Sequence, residues 1–202
     1  MRAFRDSLTI AASIAALGLA AFAKASPQTQ AENPLFPLAI GNSWRYRCEV
    51  EGMAQPGKVL RIVARTVRDD GVFFKAELQV GQDPKPLVYF LSVGADGTVR
   101  QSTAAATEGA EVVIAADTTA GTRHGSWQSA GTERLRTPAL PNVLAVRLEN
   151  FSIESPDLPT SKRAEWLARF YVKGVGPVAE ADGLGGHCEL VSYRQATSPG
   201  SR

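Results

Sequence analysis

From Val59 to Val80 the chain spells out a β-hairpin. Val59–Val67 is β-branched and apolar, with Arg61 and Arg65 sharing one face. Asp69–Asp70–Gly71 follows, and Asp-Gly accepts the positive φ angles of a tight turn. Val72, Phe74, Ala76, Leu78 and Val80 then alternate with Phe73, Lys75, Glu77 and Gln79. A repeat of two residues places alternate side chains on opposite faces, so one face of this hairpin must be buried. A chain that contains such a hairpin has to supply more sheet to cover it.

The rest of the sequence supplies it. Trp44, Tyr46, Cys48 and Val50 alternate with Arg45, Arg47 and Glu49, which predicts a first strand. Further strands are expected over Leu87–Val93, Thr98–Ser102, Val112–Ala115, around Trp127 and Leu135, and over Val143–Ile153. Arg163–Lys173 mixes helix and strand formers, but Trp166, Ala168, Phe170 and Val172 fall on one side at period two, so it reads as strand. Gly174–Val175–Gly176–Pro177 makes a bend, and Val178–Ala181 and His187–Arg194 finish the sheet. Asp117–Gly125 reads as loop. The expectation is an all-β chain of about nine to eleven strands with no long helix. They form a single antiparallel sheet curved into a half-barrel, a barrel or a sandwich.

The first 25 residues are of another kind. Arg2 and Arg5 precede a 15-residue apolar run, Leu8–Phe22, and the small-residue site Ala23–Lys24–Ala25. That is the layout of a secretory signal peptide cut between Ala25 and Ser26. The run falls short of the roughly 20 apolar residues of a spanning helix, and no second long run follows, so no membrane span is expected after cleavage. Residues 26–33 read as a disordered polar spacer, 34–195 as one β domain, and 196–202 as a disordered tail. The expected location is the periplasm or the exterior. Cys48 and Cys188, the two cysteines, lie near the ends of the domain. In an oxidising compartment they are expected to pair, closing a loop that the chain-entropy model values at about 5 kcal/mol.

Composition excludes nucleic acid. The chain has 22 basic and 20 acidic residues, and the leader takes Arg2, Arg5, Lys24 and Asp6 of these. The remainder balances to zero, without the basic surplus that nucleic acid calls for. Catalytic signals are thin. Gly41–Asn42–Ser43–Trp44–Arg45 lacks the last glycine of a nucleophile elbow. Asp117, His124 and Ser126 are the residues of a dispersed hydrolase site, the least favoured reading. Gly174–Ala179 fits Gly-x-Gly-x-x-Ala, but no helix pattern follows and Pro177 removes a donor, so no dinucleotide site is expected. With His124 and His187 as the two histidines, neither metal nor cofactor is expected. What remains is aromatic: Trp44, Tyr46, Phe74, Trp127, Trp166 and Phe170 are the candidate ligand-lining residues of a curved sheet.

The segment Phe36-Pro37-Leu38-Ala39-Ile40-Gly41-Asn42-Ser43-Trp44-Arg45-Tyr46 resembles the opening of a group of exported bacterial domains of unknown function. Those domains tend to close as this chain does, with Tyr171-Val172-Lys173-Gly174-Val175-Gly176-Pro177-Val178 and a late strand like Glu189–Tyr193. The resemblance implies an exported β-sheet domain and carries over no catalytic residue. On architecture alone the chain is also similar to half-barrel lipoprotein carriers. The expected function is a non-enzymatic, carrier-like binding module in the periplasm, for an apolar small molecule, a lipid or an envelope protein. The alternative is a structural or interaction domain with a filled core and no ligand.

Overall fold

The computed structural model describes residues 32–153, 165–183 and 185–196. The expected signal peptide and most of the spacer and of the tail lie outside these residues. Among the described residues there are twelve strands and no helix: β1 Ser43–Val50, β2 Met53–Arg68, β3 Gly71–Val80, β4 Leu87–Val93, β5 Val99–Ser102, β6 Glu111–Ile114, β7 Arg123–His124, β8 Trp127–Leu135, β9 Val143–Ile153, β10 Glu165–Val172, β11 Gly176–Asp182 and β12 Gly186–Arg194.

All twelve belong to one antiparallel sheet, in the order β6-β5-β4-β3-β2-β1-β12-β11-β10-β9-β8-β7. The path is a meander whose first and last strands pair at the centre, so the two free edges come from mid-chain. The sheet curls until β6 approaches β8, and the barrel is nearly closed. The chain between β6 and β7 helps to fill the gap. Gly121 N–H donates to Ser129 O at 2.7 Å, Ser129 N–H to Thr122 O at 2.9 Å, and Ser129 Oγ to Thr118 O at 2.6 Å. Asp117–Gly125, read as loop, therefore lies along β8 and contributes the two-residue β7.

Two further departures from the sequence reading have local causes. β2 begins at Met53, six residues before the apolar run at Val59. Tyr46 faces Lys58 while Cys48 faces Gln55, so Pro56 and Gly57 form an irregularity opposite Arg47. A bulge tolerates proline, and Gly57 is needed because a Cβ there would stand 2.8 Å from Tyr46 O. Residues assigned to the two flanks also take part in the packing. Asn33, assigned to the spacer, is buried, and Ala196, assigned to the tail, donates its N–H to Asn42 Oδ1 at 2.7 Å.

The expected cystine is present. Cys48 and Cys188 are directly opposed on β1 and β12, with Cα atoms 4.0 Å apart. Direct opposition across the antiparallel ladder is what brings the two sulfurs within bonding reach. It joins the strands that carry the two ends of the domain.

Candidate functional site

One end of the barrel is stoppered by the segment that precedes β1. Leu35 and Phe36 are buried. Asn33 fixes the turn that delivers them: its Oδ1 accepts from Leu35 N–H and its Nδ2 donates to Gly97 O, both at 2.8 Å. Asn42, only 2% exposed, donates from Nδ2 to Pro37 O at 2.7 Å. The Phe36 ring meets Trp44 edge-on at 5.5 Å and Tyr171 at 6.2 Å.

The closing motif locks onto the opening one. Trp44 Nε1 donates to Val175 O at 2.6 Å, Tyr46 Oη to Pro177 O at 2.9 Å, and Gly174 N–H to Pro34 O at 2.7 Å. Gly176 has φ +104°, and a Cβ on it would stand 2.9 Å from Trp44 Nε1. Only glycine suits both the backbone angle and the indole beside it. The Gly-x-Gly-x-x-Ala look-alike is thus a seat for Trp44.

Beneath this stopper lies a cavity of about 300 Å³. Side chains from nine strands and from Phe36 converge on it, which places it inside the curl of the sheet. Leu60, Leu78 and Val113 give it apolar walls, and the largely exposed Leu87 stands at its open rim. Tyr46, Tyr89, Tyr171, Gln101, Lys58, Arg169 and Glu180 give it a polar side.

The register explains how the charges meet. Arg169 on β10 faces Glu180 on β11, Glu180 faces Cys188 on β12, and Cys188 faces Cys48 on β1. Glu180 Oε2 accepts from Arg169 Nε at 3.2 Å, and its Oε1 from Lys58 Nζ at 3.0 Å. Trp127 backs the guanidinium, with Arg169 Cζ 4.9 Å from the ring centroid, inside cation–π range. A second pocket, of about 240 Å³, lies beyond this cluster at the disulfide end and shares Lys58, Glu180 and Cys188.

Protonation follows from burial and neighbours. Burial alone would push the Glu180 carboxyl up, but the Arg169 and Lys58 charges outweigh it and hold the group below its usual range. Arg169 stays charged: burial opposes it, and Tyr171 and Glu180 more than compensate. Burial raises all three phenols, Tyr46, Tyr89 and Tyr171, which therefore remain protonated at neutral pH. The cavity thus holds two cations, one carboxylate and three neutral phenols. Such a set can receive an apolar body and hydrogen-bond its polar end.

The aromatic candidates from the sequence are distributed differently. Tyr46 lines the cavity. Trp44 is core, 1% exposed. Phe74 lines a separate pocket of about 310 Å³ under the stopper. Trp127 supports Arg169. Phe170 is covered by Arg147, whose Cζ lies 5.8 Å from its ring and which pairs with Glu133 and Glu149. The Trp166 side chain lies outside the described residues. Of the dispersed hydrolase set, Ser126 Oγ accepts from Asn150 Nδ2 at 3.2 Å, and Asp117 Oδ1 accepts from Thr119 N–H at 2.8 Å within its own turn. Among the described residues no hydrogen bond joins Ser126 to His124, and no three His, Cys, Asp or Glu side chains gather as a metal site.

Lys58, Tyr89, Gln101, Arg169 and Glu180 had no motif to announce them, and Tyr171 stood in the closing motif without a ligand-lining role read for it. The usable signal was the bend at Gly174–Gly176. Counting back from it along β10 and forward along β11 pairs Arg169 with Glu180, provided that the register shift between Phe170 and Tyr171 is allowed for.

The fold has relatives among solved structures. A protein of Bacteroides fragilis inferred to be exported, described as having a YmcC-like fold, superposes with a TM-score of 0.55 at 12% identity, over 80% of this chain and 99% of that one. An inferred lipoprotein of Parabacteroides distasonis superposes with a TM-score of 0.57 at 12% identity, over 82% of this chain and all of the other. At that identity the likeness is one of fold. No protein-family model and no curated protein matches the sequence.

Proposed function

We propose that this chain is an exported binding module that holds a small molecule with an apolar body inside its barrel and performs no chemistry on it. The observation that carries the reading is the interior cavity of about 300 Å³, apolar on one side and polar on the other. That volume is at the lower end of small-ligand sites. A structural domain with a filled core would have no use for such a space. Export is supported by the leader pattern, by a cystine suited to an oxidising compartment, and by the exported and lipoprotein descriptions of the two similar structures. The cavity is too small for a diacyl lipid, which favours a compact guest.

Native mass spectrometry tests this directly. Protein secreted with its own leader and purified without detergent should carry a small-molecule adduct that collisional activation removes. A bare polypeptide mass, together with no thermal shift from any amphiphile of eight to ten carbons, would overturn the proposal.

A further inference from the structure

Resting on that reading, we infer that the guest is an acid: a small amphiphile whose carboxylate docks on Arg169 and Lys58. The first ground is charge. Lys58, Arg169 and Glu180 are the charged groups lining the cavity, two cations against one anion. The net positive lining attracts an anion and disfavours a cation, so a carboxylate is the preferred visitor.

The second ground is hydrogen-bonding capacity. A guanidinium has five N–H groups in a fixed fork. Arg169 gives Nε to Glu180 and lies within hydrogen-bonding reach of Tyr171. Arg169 lines the cavity, so a carboxylate there can take N–H groups that Glu180 leaves unused. Trp127 beneath the guanidinium holds it in one orientation. Glu180 cannot play this part alone, since one of its oxygens is on Arg169 and the other on Lys58.

The third ground is the bias toward donors. Tyr46 gives its proton to Pro177 O. Tyr89 and Tyr171 stay protonated, so each brings a hydroxyl donor to the cavity lining. Gln101 adds an amide. A head group that only accepts hydrogen bonds fits this set, and an ammonium does not. The pocket at the disulfide end carries Glu49, Glu180 and Asp182 against Lys58, so its lining is net negative and favours an acid less than the Arg169 side does. Leu60, Leu78, Leu87 and Val113 are left to cover the hydrocarbon.

The test compares three probes of one chain length by calorimetry at pH 7: octanoate, octanol and octylamine. Octanoate should bind about tenfold or more tightly than octanol, in line with charge-assisted hydrogen bonds, and octylamine should not bind. Arg169→Gln and Lys58→Met should each weaken octanoate and leave octanol unchanged, while Glu180→Gln should tighten octanoate. Circular dichroism confirms each fold, and the comparison on the unaltered protein stands if a variant fails to fold. Octanol or octylamine binding as tightly as octanoate overturns the acid assignment and leaves the ligand-holding reading intact. If none of the three binds, the assignment is also overturned, and the ligand-holding reading is then decided separately by the native-mass adduct.

Discussion

The two ends of the barrel are held by different means. At the stoppered end, Asn33, Asn42, Trp44 and Tyr46 each engage a backbone carbonyl or N–H, and the stopper docks on the bend at Gly174–Gly176. At the other end the same two strands, β1 and β12, are joined by a cystine, and the interior carries Lys58, Glu180 and Arg169. A hydrogen-bonded stopper of buried side chains needs no crosslink. Open volume lies toward both ends, but the interior ion pairs gather at one of them, and there a covalent bond does the tethering that side-chain hydrogen bonds do at the other.

The cystine gives the largest expected effect. Replacing both cysteines by alanine should cost up to about 5 kcal/mol in urea melts, the chain-entropy value for so long a loop. Hydrogen exchange should accelerate near Val50 and Gly186 before it does at Asn42 and Trp44. Uniform acceleration along both strands would mean that the two ends are not independent.

Trp44→Ala attacks the opposite end. It removes a fully buried indole and its bond to Val175 O, with an expected cost of about 3–5 kcal/mol. Exchange should now be fastest at Gly174–Val178, while the ladder beside the cystine stays protected. A loss under about 1 kcal/mol would show that the stopper is not anchored where we place it.

The smallest effect belongs to Glu180. Its carboxyl is held below the ordinary glutamate value, so the folded state binds fewer protons than the unfolded one as pH drops. Its contribution is therefore present above about pH 4.3 and is lost as pH falls through the folded-state value. Because the three charged side chains are roughly a third exposed, solvent screening limits the effect to about 1 kcal/mol or less. Stability of Glu180→Gln measured across pH 3–7 should show a correspondingly flatter acid limb. An unchanged limb would remove Glu180 from the account of that end.

These ends also differ in how far the sequence revealed them. Phe36–Tyr46 and Tyr171–Val178 stood out in the sequence as contiguous stretches in which glycine, asparagine and tryptophan each imply a local geometry, but that the first plugs the barrel and docks on the second was not read from it. The cystine was legible from two cysteines near the domain ends. The charged cluster was not, because Lys58, Arg169 and Glu180 come from three strands and each reads as an ordinary solvent-facing residue. In β10 the alternation placed the face of Ala168 and Phe170 against the interior. Those two are buried, yet Arg169 and Tyr171 on the alternate positions line the cavity. The strand is covered on both faces, inside by the curled sheet and outside by the Arg147 ion pairs over Phe170, and period two cannot tell two buried faces apart. The early start of β2 was hidden for a related reason, since Pro56–Gly57 signals a turn in sequence and forms a bulge in the sheet.

The account depends on the barrel interior being open space bounded by Leu78 and its neighbours. Filling that space is the most direct check, and the thermal and urea stability of Leu78→Trp is the measurement. The larger side chain should fit within the cavity, leaving stability within about 0.5 kcal/mol of the unaltered protein and abolishing the shift produced by octanoate. Destabilisation of about 3 kcal/mol would instead report overpacking of a filled core and contradict the account.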